Sequence, residues 1–249
     1  GRSQRPVYLY ITDGGVFFRD AGDVWGLDTW ETENRIKRLE NDPRLKSICI
    51  GPAGEKQVRF ACIVGDRGRA AGYGGAGALL GGKRLKAVAV RGHRPLTVAR
   101  PQALLEELRR FNREVIEQSR FVRIHRQGGT LNAYLLPGAK RPHAVRNMSR
   151  AFWDNAAIGK VHRYVLDERY LVRRHACMAC PIYCSAIYEI DGMACEGLQA
   201  NSWRAFASNL DLTDPAQVMR LHALTNRWGL DGDHTSAVLA WAVECFTRG

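Results

Sequence analysis

The hydrophobic pattern of this chain changes its period near residue 95, and this change limits the fold more than any other feature. Before it, short runs of β-branched and aromatic residues alternate with turn residues, as expected of strands, at 7–12, 16–20, 47–51, 58–64 and 85–92. After it, apolar residues recur at helical spacing at 101–118, 215–228 and 235–247. The sequence therefore predicts an α+β fold, with a β-rich domain over residues 1–95 and a mainly α-helical domain over residues 96–249.

Local signals add detail to this division. Asp13-Gly14-Gly15 between two strand-like runs predicts a hairpin, and Asp28 or Thr29 is placed to cap a helix that ends near Leu39. Residues 119–150 contain Gly128-Gly129, Pro137-Gly138 and Pro142, which predict an irregular segment.

The net charge is +12, with 37 Lys and Arg against 25 Asp and Glu. A basic surface favours an acidic protein partner or anionic cofactors, or is simply a solvated face. The arginines are not interleaved with aromatic residues in a nucleic-acid-binding motif, so we expect no nucleic-acid partner. The sequence contains no run of 18 apolar residues, and we expect no membrane span.

Seven cysteines are present, an odd number that is clustered rather than spread, which argues against a secreted disulfide framework and favours a reducing cytoplasm. Cys49 and Cys62 lie in apolar runs, where cysteine is most often a small buried hydrophobe. Cys177, Cys180 and Cys184 have the spacing C-x2-C-x3-C.

This spacing suits a 4Fe-4S cluster, which takes three local thiolates and a remote fourth. Cys195 and Cys245 are candidates for the fourth ligand, which can also lie outside this sequence. Pro181 follows Cys180 where haem attachment needs His. A zinc site that uses His175, or three buried thiols, remains open at this point.

A glycine-rich stretch, RAAGYGGAGALLGG, covers residues 69–82 and contains G-x-G-x-x-G from Gly72 to Gly77. A dinucleotide site needs the first glycine directly after a strand and an acid about 20 residues later. The nearest expected strand ends near Val64, and the later positions hold Arg91 and Arg94. The remaining interpretations are an NADP-binding variant, which the loop position weakens, tight packing of a helix, or a backbone cradle for a phosphorylated ligand with Arg69 as its counter-charge.

Taken together, these motifs resemble those of the tungsten-dependent aldehyde ferredoxin oxidoreductase family. The similar stretches occur in the family's order: WGLDTWETE (25–33), IGPAGEKQVRFACI (50–63), RAAGYGGAGALLGGKRLKAVAVRG (69–92), CMACPIYC (177–184), AFASN (205–209) and NRWGLD (226–231). The resemblance implies an internal fragment: the end of a β-rich first domain and most of a helical second domain, with a third domain outside this sequence.

The resemblance also implies a tungsten or molybdenum ion chelated by two pterins. Arg69, Ala70 and Gly72 would contact the pterin phosphates and a bridging Mg. The second cofactor-binding segment would consist of Asn226, Gly229, Leu230 and Asp231, with Asn226 where the family motif begins with Asp. A plain helix end at Gly229 is the structural alternative for this segment.

By the same resemblance, Cys177, Cys180 and Cys184 would bind a 4Fe-4S cluster whose fourth ligand comes from the third domain. The cluster would pass electrons to ferredoxin, and the basic segment 101–174, with 15 Lys and Arg against 7 Asp and Glu, would suit an acidic ferredoxin. A homodimer is a candidate assembly. The expected activity is oxidation of an aldehyde to a carboxylic acid.

One departure from the family affects the expected chemistry. The family usually carries a glutamate before its AFGSN stretch, whereas this chain has Asn201, and the nearest carboxylate is Glu196. A neutral Asn cannot act as a general base, so no catalytic residue is assigned. Related tungsten-dependent aryl-thioester reductase subunits, and a non-enzymatic iron-sulfur or zinc protein, remain as alternatives.

Overall fold

The computed structural model describes residues 1–134 and 143–249, so the predictions for Pro137-Gly138 and Pro142 lie outside the described residues. The fold is mixed α/β, with two sheets and helices. It divides into two compact units, one formed by 1–94 with 220–249 and the other by 95–219. The assignment of residues 96–249 to one domain stays a prediction. In the described part of the chain, no helix is both long and apolar enough to cross a bilayer.

The first unit is built on a six-stranded sheet with the order β2-β1-β6-β3-β4-β5. Its strands are β1 (Val7–Thr12), β2 (Gly15–Asp20), β3 (Lys46–Cys49), β4 (Ile63–Gly65), β5 (Arg69–Ala71) and β6 (Leu85–Arg91). Its helices are α1 (Thr29–Leu39), α2 (Pro52–Glu55), α3 (Ala76–Gly82) and α10 (Gly232–Arg248), together with residues 220–228 of α9 (Pro215–Trp228). Only the β1–β6 pair is parallel, and every other neighbouring pair is antiparallel.

Two local predictions are confirmed in this unit. Thr12 pairs with Gly15 across the Asp13-Gly14 turn of the β1–β2 hairpin. At the start of α1, Asp28 accepts a hydrogen bond from the Glu31 N–H at 2.9 Å, and Glu31 accepts one from the Asp28 N–H at 3.2 Å. This reciprocal capping box satisfies two N–H groups that a helix cannot satisfy internally. Between α1 and the sheet lies a buried core that includes Tyr8, Val24, Ile36, Leu45, Cys49 and Ala87.

The strand predicted over residues 58–64 is largely wrong, because only Ile63–Gly65 joins the sheet. The backbone of residues 60–62 instead bonds to a distant turn. Phe60 accepts from the Asp231 N–H, and the Cys62 N–H donates to Gly229. The apolar character of the run therefore reflects burial at a tertiary contact rather than membership of a long strand.

The second unit contains helices and a three-stranded antiparallel sheet with the order β7-β8-β9. Its strands are β7 (Leu171–His175), β8 (Ser185–Ile190) and β9 (Met193–Glu196). Its α-helices are α4 (Pro101–Phe111), α5 (Arg120–Tyr134), α6 (Asn155–Lys160), α7 (Arg163–Tyr170), α8 (Ala200–Trp203) and residues 215–219 of α9, and its π-helical segments are Asn112–Ile116 and Arg204–Ser208. The sequence predicted a mainly helical domain here and missed this sheet, since its strands are short and carry charged residues.

Residues 120–134 form α5 rather than the irregular segment that was expected. The helix is interrupted where Gly128 and Gly129 leave helical backbone angles. A Cβ at Gly129 would stand 2.4 Å from the Cys184 carbonyl oxygen, so the missing side chain lets the helix approach that residue. The sequence correctly predicted a break at this glycine pair, but the residues on both sides of it are helical.

Candidate functional site

Two segments that are far apart in the sequence meet in the first unit. The loop Gly72–Gly75 follows β5, and the turn Asn226–Asp231 joins α9 to α10. The Tyr73 N–H donates to Asp231 Oδ2 at 3.3 Å, and a Cβ at Gly72 would stand 2.4 Å from the same oxygen. The fold therefore brings the two segments expected to bind one cofactor together, and we call them the glycine-loop site.

Asp231 is the buried acceptor at the centre of this site. Its Oδ1 accepts from the His234 N–H at 2.9 Å, which caps α10, and lies 2.6 Å from His234 Nδ1. With the bond from Tyr73, three groups approach the carboxylate. A carboxylate offers about four lone-pair positions. Within residues 1–134 and 143–249, about one acceptor position of this carboxylate is left without a protein donor.

The turn before Asp231 has the geometry of a helix end. The Gly229 N–H donates to Asn226, the Leu230 N–H donates to Thr225, and Gly229 has φ +72°. This is a Schellman motif, in which the left-handed residue favours glycine. The helix end predicted at Gly229 is thus confirmed. The turn positions Asp231 beside the glycine loop.

The WGLDTWETE stretch supports this turn from the start of α1. Thr29 Oγ1 donates to the Asn226 carbonyl at 2.9 Å, and Arg227 Nε donates to Asp28 Oδ2 at 2.6 Å. Asn226 is buried, and its side-chain amide donates to the His222 carbonyl at 3.1 Å. Asn226 therefore contributes to the shape of the site through its backbone and its burial.

The glycines of residues 72–82 have two different roles. A Cβ at Gly81 would lie 1.8 Å from the Gly54 carbonyl oxygen, and one at Gly77 would lie 2.6 Å from the Cys62 carbonyl oxygen. These two glycines let α3 pack closely against α2 and residues 61–62. Gly72 instead lets the loop approach Asp231 closely. The packing role is therefore confirmed for Gly77 and Gly81, whereas the phosphate cradle stays a prediction.

The dinucleotide interpretation fails for a different reason from the one expected. A strand, β5, does end directly before Gly72, contrary to the expectation that the nearest strand ends near Val64. However, β5 is an edge strand that pairs antiparallel with β4, and it is not a neighbour of β6. A dinucleotide fold needs two neighbouring parallel strands joined by the helix.

Arg69 and Ala70 lie on β5, opposite Gly65 and Val64, and both are exposed. Sequence reasoning missed three aromatic or titratable neighbours of the loop: Phe60, Tyr73 and His234. The His234 ring stacks on Phe60 with a centroid distance of 5.9 Å, and it meets Tyr73 edge-on at 5.1 Å. Position was their signal in the sequence, since Phe60 and Tyr73 lie inside the motifs 50–63 and 69–92 and His234 follows Asp231 by three residues.

The cysteine loop, residues 176–184, connects β7 to β8 in the second unit. Cys177 is exposed, whereas Cys180 and Cys184 are partly exposed. The Cys180 N–H donates to the Cys177 carbonyl at 3.0 Å, and Ala179 and Tyr183 have left-handed backbones. The loop is therefore wound rather than extended, with three accessible thiols as its donor set.

Within residues 1–134 and 143–249, no three Cys, His, Asp or Glu side chains converge as a single metal ion would require. His175 Nε2 lies 4.0 Å from Glu196 Oε2, and the zinc site with His175 stays an alternative. The ligands of a cubane bind separate iron atoms, so three thiols spread along one loop fit that group.

The other cysteines differ in environment from those of the loop. Burial raises the pKa of the Cys49, Cys62 and Cys195 thiols to about 12. The negative charge of Asp231 acts in the same direction on Cys62. Cys195 is buried in the β8–β9 pair, opposite Tyr188, and is therefore a poor candidate for the fourth ligand, whereas Cys245 is exposed.

Asn201 and Glu196, which lie near the position of the family's glutamate, have different environments. Asn201 is exposed on α8, whereas Glu196 is buried on β9, opposite Ile187 of β8. The AFASN stretch follows in the π-helical segment Arg204–Ser208, of which Ala205 to Ser208 are buried. Short π-helical segments within helices are frequent at functional sites.

Comparisons with known proteins cover both units. A family model described as the aldehyde ferredoxin oxidoreductase N-terminal domain matches residues 1–92, and one described as domains 2 and 3 of the same family matches residues 107–249. The chain is 35% identical to the tungsten-containing aldehyde ferredoxin oxidoreductase of Pyrococcus horikoshii and 31% identical to that of Pyrococcus furiosus. It is 30% identical to the aliphatic sulfonate oxidoreductase, WOR-like subunit, of Pyrococcus furiosus.

All of this chain aligns with each of these relatives, but it spans only about two fifths of their length, 41% or 42%. Among solved structures, the active site complex BamBC of benzoyl coenzyme A reductase, in complex with 1,5-dienoyl-CoA, is similar with a TM-score of 0.78. That match has 26% identity and covers 100% of this chain and 39% of the other.

Proposed function

This chain belongs to the aldehyde ferredoxin oxidoreductase family, and we propose that it carries the cofactor-binding parts of an oxidoreductase with a bis-pterin tungsten or molybdenum centre and one 4Fe-4S cluster. The reaction is oxidation of an aldehyde with water to a carboxylic acid, which releases two protons and two electrons. The electrons pass one at a time to ferredoxin, and the reducing cytoplasm suits the accessible thiols.

The observation that carries this proposal is the meeting of the glycine loop with the turn that ends in Asp231. Tyr73 and Asp231 are 158 positions apart and hydrogen-bonded. Helix packing uses Gly77 and Gly81, whereas the missing side chain of Gly72 lets the loop contact a buried carboxylate. The arrangement supports a ligand with both a phosphate and a polar ring edge.

Each residue of the site has a proposed task toward the pterins. Arg69 would provide a positive charge for their phosphates, which a bridging Mg would also neutralise, while Ala70 and Gly72 would let the backbone approach closely. Asp231 accepts a hydrogen bond from a pterin N–H at its remaining acceptor position, and the Asn226–Leu230 turn holds Asp231 in place. When bound, the metal supplies Lewis-acid and redox chemistry.

The three cysteines of the second unit would bind the cluster, with the fourth thiolate coming from outside this sequence. The exposed loop gives an electron-transfer partner access, since Cys177 and Met178 are both solvent-facing. Exposed arginines lie beside it, including Arg126, which donates to Pro181 of the loop, and Arg173 of β7. An acidic ferredoxin would be attracted to this surface, so we expect the rate of ferredoxin reduction to fall steeply as ionic strength rises.

A second candidate function is reduction of an aryl thioester with the same cofactors. The similarity to the BamBC complex of benzoyl coenzyme A reductase favours it, because that match also covers the whole of this chain. The neutral Asn201 adds weight, since it cannot serve as the base that the aldehyde enzymes are expected to use.

The test is elemental analysis, by inductively coupled plasma mass spectrometry, of the full-length protein purified without oxygen. Tungsten or molybdenum together with several irons per chain is the expected result, and zinc alone would contradict the proposal. Aldehyde-dependent reduction of ferredoxin, measured beside reduction of an aryl-CoA thioester by reduced ferredoxin, then distinguishes the two candidate functions.

A further inference from the structure

The middle of the cysteine loop is held by one side chain of α5. Arg126 donates two hydrogen bonds to the carbonyl oxygen of Pro181, from Nε at 3.0 Å and from Nη2 at 2.8 Å. Pro181 lies between Cys180 and Cys184 and has no backbone N–H, so its carbonyl is its one polar group. Arg126 therefore ties the loop to α5 between two of the expected ligands and places a positive charge there.

The end of the loop rests on the break in α5 and on a buried arginine. A Cβ at Gly129 would stand 2.4 Å from the Cys184 carbonyl oxygen and 3.3 Å from Arg163 Nη1. Both groups thus approach the same point, which is free only because residue 129 is glycine. The guanidinium of Arg163 therefore lies close to the backbone of the third cysteine.

Arg163 belongs to a group of two arginines and one aspartate, which carries one excess positive charge. Asp167 accepts from Arg163 Nε at 2.7 Å, from Arg174 Nη2 at 2.7 Å and from the Tyr188 hydroxyl at 2.9 Å. Two guanidinium groups thus share one carboxylate. Arg163 is only 2% exposed, and within the described residues Arg163 Nη2 and Arg174 Nη1 are buried without a hydrogen-bond acceptor.

Such unsatisfied, positively charged donors are costly unless a negative group lies nearby. A 4Fe-4S cluster with thiolate ligands carries a net negative charge, and its reduction adds a further electron. Nearby positive charge therefore stabilises the cluster and favours its reduced form. The charge imbalance of the arginine group complements a cluster held by the neighbouring loop.

We propose that Arg126, Arg163 and Arg174 form an arginine clamp that positions the cysteine loop and raises the reduction potential of its 4Fe-4S cluster. This inference rests on the proposed function, since it takes Cys177, Cys180 and Cys184 as cluster ligands. The three arginines act through the loop and through charge, so they are positioning residues that need not touch the iron.

The test compares Arg126→Ala with Arg123→Ala in the full-length protein purified without oxygen. Arg123 is an exposed arginine of the same helix whose Nη1 donates to Gln118, so it is a matched control. Measurements are iron per chain, the electron paramagnetic resonance signal and the reduction potential.

We expect Arg126→Ala to lower the ratio of reduced to oxidised cluster at a fixed potential by roughly fivefold, as for loss of one nearby surface charge. Arg126→Lys should restore most of it, and Arg123→Ala should leave it unchanged.

Arg174→Gln provides a second variant, because Arg174 is partly exposed and its loss leaves the neutral Arg163–Asp167 pair. We expect the same direction of shift with the fold intact by circular dichroism. Wild-type iron content with unchanged potentials in both Arg126→Ala and Arg174→Gln would overturn the clamp alone. A wild-type protein without iron would overturn the proposed function and the clamp with it.

Discussion

The backbone N–H of Tyr73 donates a hydrogen bond of 3.3 Å to the Asp231 carboxylate and joins two segments that are 158 positions apart. The contact depends on Gly72, since a side chain there would collide with Asp231. This relationship assembles the glycine-loop site.

We expect Gly72→Ala to lower the tungsten or molybdenum content of the full-length protein while its iron content is retained. The added Cβ would stand 2.4 Å from Asp231 Oδ2 and force the carboxylate aside. Metal analysis of the purified variant measures this. Gly159→Ala, where nothing lies within 4 Å of the added atom, is the control. Full pterin-metal content in Gly72→Ala would show that Asp231 is not needed in its present position.

Alanine substitutions at two adjacent glycines of α3 should have different effects on stability. A Cβ at Gly81 would lie 1.8 Å from the Gly54 carbonyl oxygen, whereas one at Gly82 would lie 3.4 Å from the end of the flexible Gln57 side chain. We expect Gly81→Ala to lower the free energy of unfolding by about 1–3 kcal/mol through overpacking. Gly82→Ala should be neutral or stabilising by up to about 1 kcal/mol through helix propensity. Urea denaturation measures both, and equal effects would contradict the close packing of α2 and α3.

A buried ion pair holds the loop before α1. Lys86 Nζ lies 2.5 Å from Glu55 Oε1 and donates to the Leu27 carbonyl at 2.8 Å. Glu55→Gln should cost about 3–5 kcal/mol of stability, because it leaves the buried ammonium without its counter-charge.

The exposed pair Lys46–Asp66 is the control for this change, and Asp66→Asn should cost less than about 1 kcal/mol. Combining Glu55→Gln with Lys86→Met should recover part of the loss. Chemical denaturation of the four proteins measures these differences, and a small effect of Glu55→Gln alone would show that water reaches Lys86.

Thiol reactivity should separate the cysteines into two groups. Burial raises the pKa of Cys49, Cys62 and Cys195 to about 12, so in the folded protein they stay protonated at pH 9 and react slowly with iodoacetamide. The exposed Cys245 should react readily. Peptide mass spectrometry after labelling at pH 9, with and without urea, measures this.

The same shift predicts the pH dependence of stability. Unfolded thiols lose their protons near pH 9 while the folded ones retain theirs until about pH 12. The free energy of unfolding should therefore be unaffected by these groups below pH 9 and fall as pH rises from about 9 to about 12. Labelling of Cys195 at pH 9 without urea would contradict both expectations.

Replacing single cysteines tests the ligand set. Cys180→Ser should abolish the cluster's absorbance and its electron paramagnetic resonance signal, because serine provides no thiolate. Cys195→Ala should retain both, since that thiol is buried in a strand pair. Unchanged iron in Cys180→Ser would remove Cys180 from the ligand set.

Features decided by neighbouring residues were predictable. The Asp13-Gly14 hairpin, the Asp28 cap of α1 and the end of α9 at Gly229 all follow from local backbone preferences and short-range hydrogen bonds. The motifs themselves were also recognised by their order along the chain. The family membership that they indicated is confirmed, whereas the roles of the individual site residues stay predictions.

Features that depend on distant partners were not predictable. Residues 60–62 satisfy their backbone at the turn 229–231 rather than in a long strand, and no property of the run itself indicates that partner. The sheet of residues 171–196 was missed because its pairing, rather than its composition, stabilises it.

Local residue preferences and the order of the motifs were thus sufficient for turns, caps and family membership, whereas the cysteine ligand set and the two cofactor segments implied by the family resemblance stay predictions. The fold alone decided that Gly72 faces Asp231, that Arg126 binds the Pro181 carbonyl, and that Arg163 and Arg174 share Asp167. The physical reason is range: turns and caps involve groups a few residues apart, whereas burial, charge balance and close approach are properties of surfaces that exist only after the chain has folded.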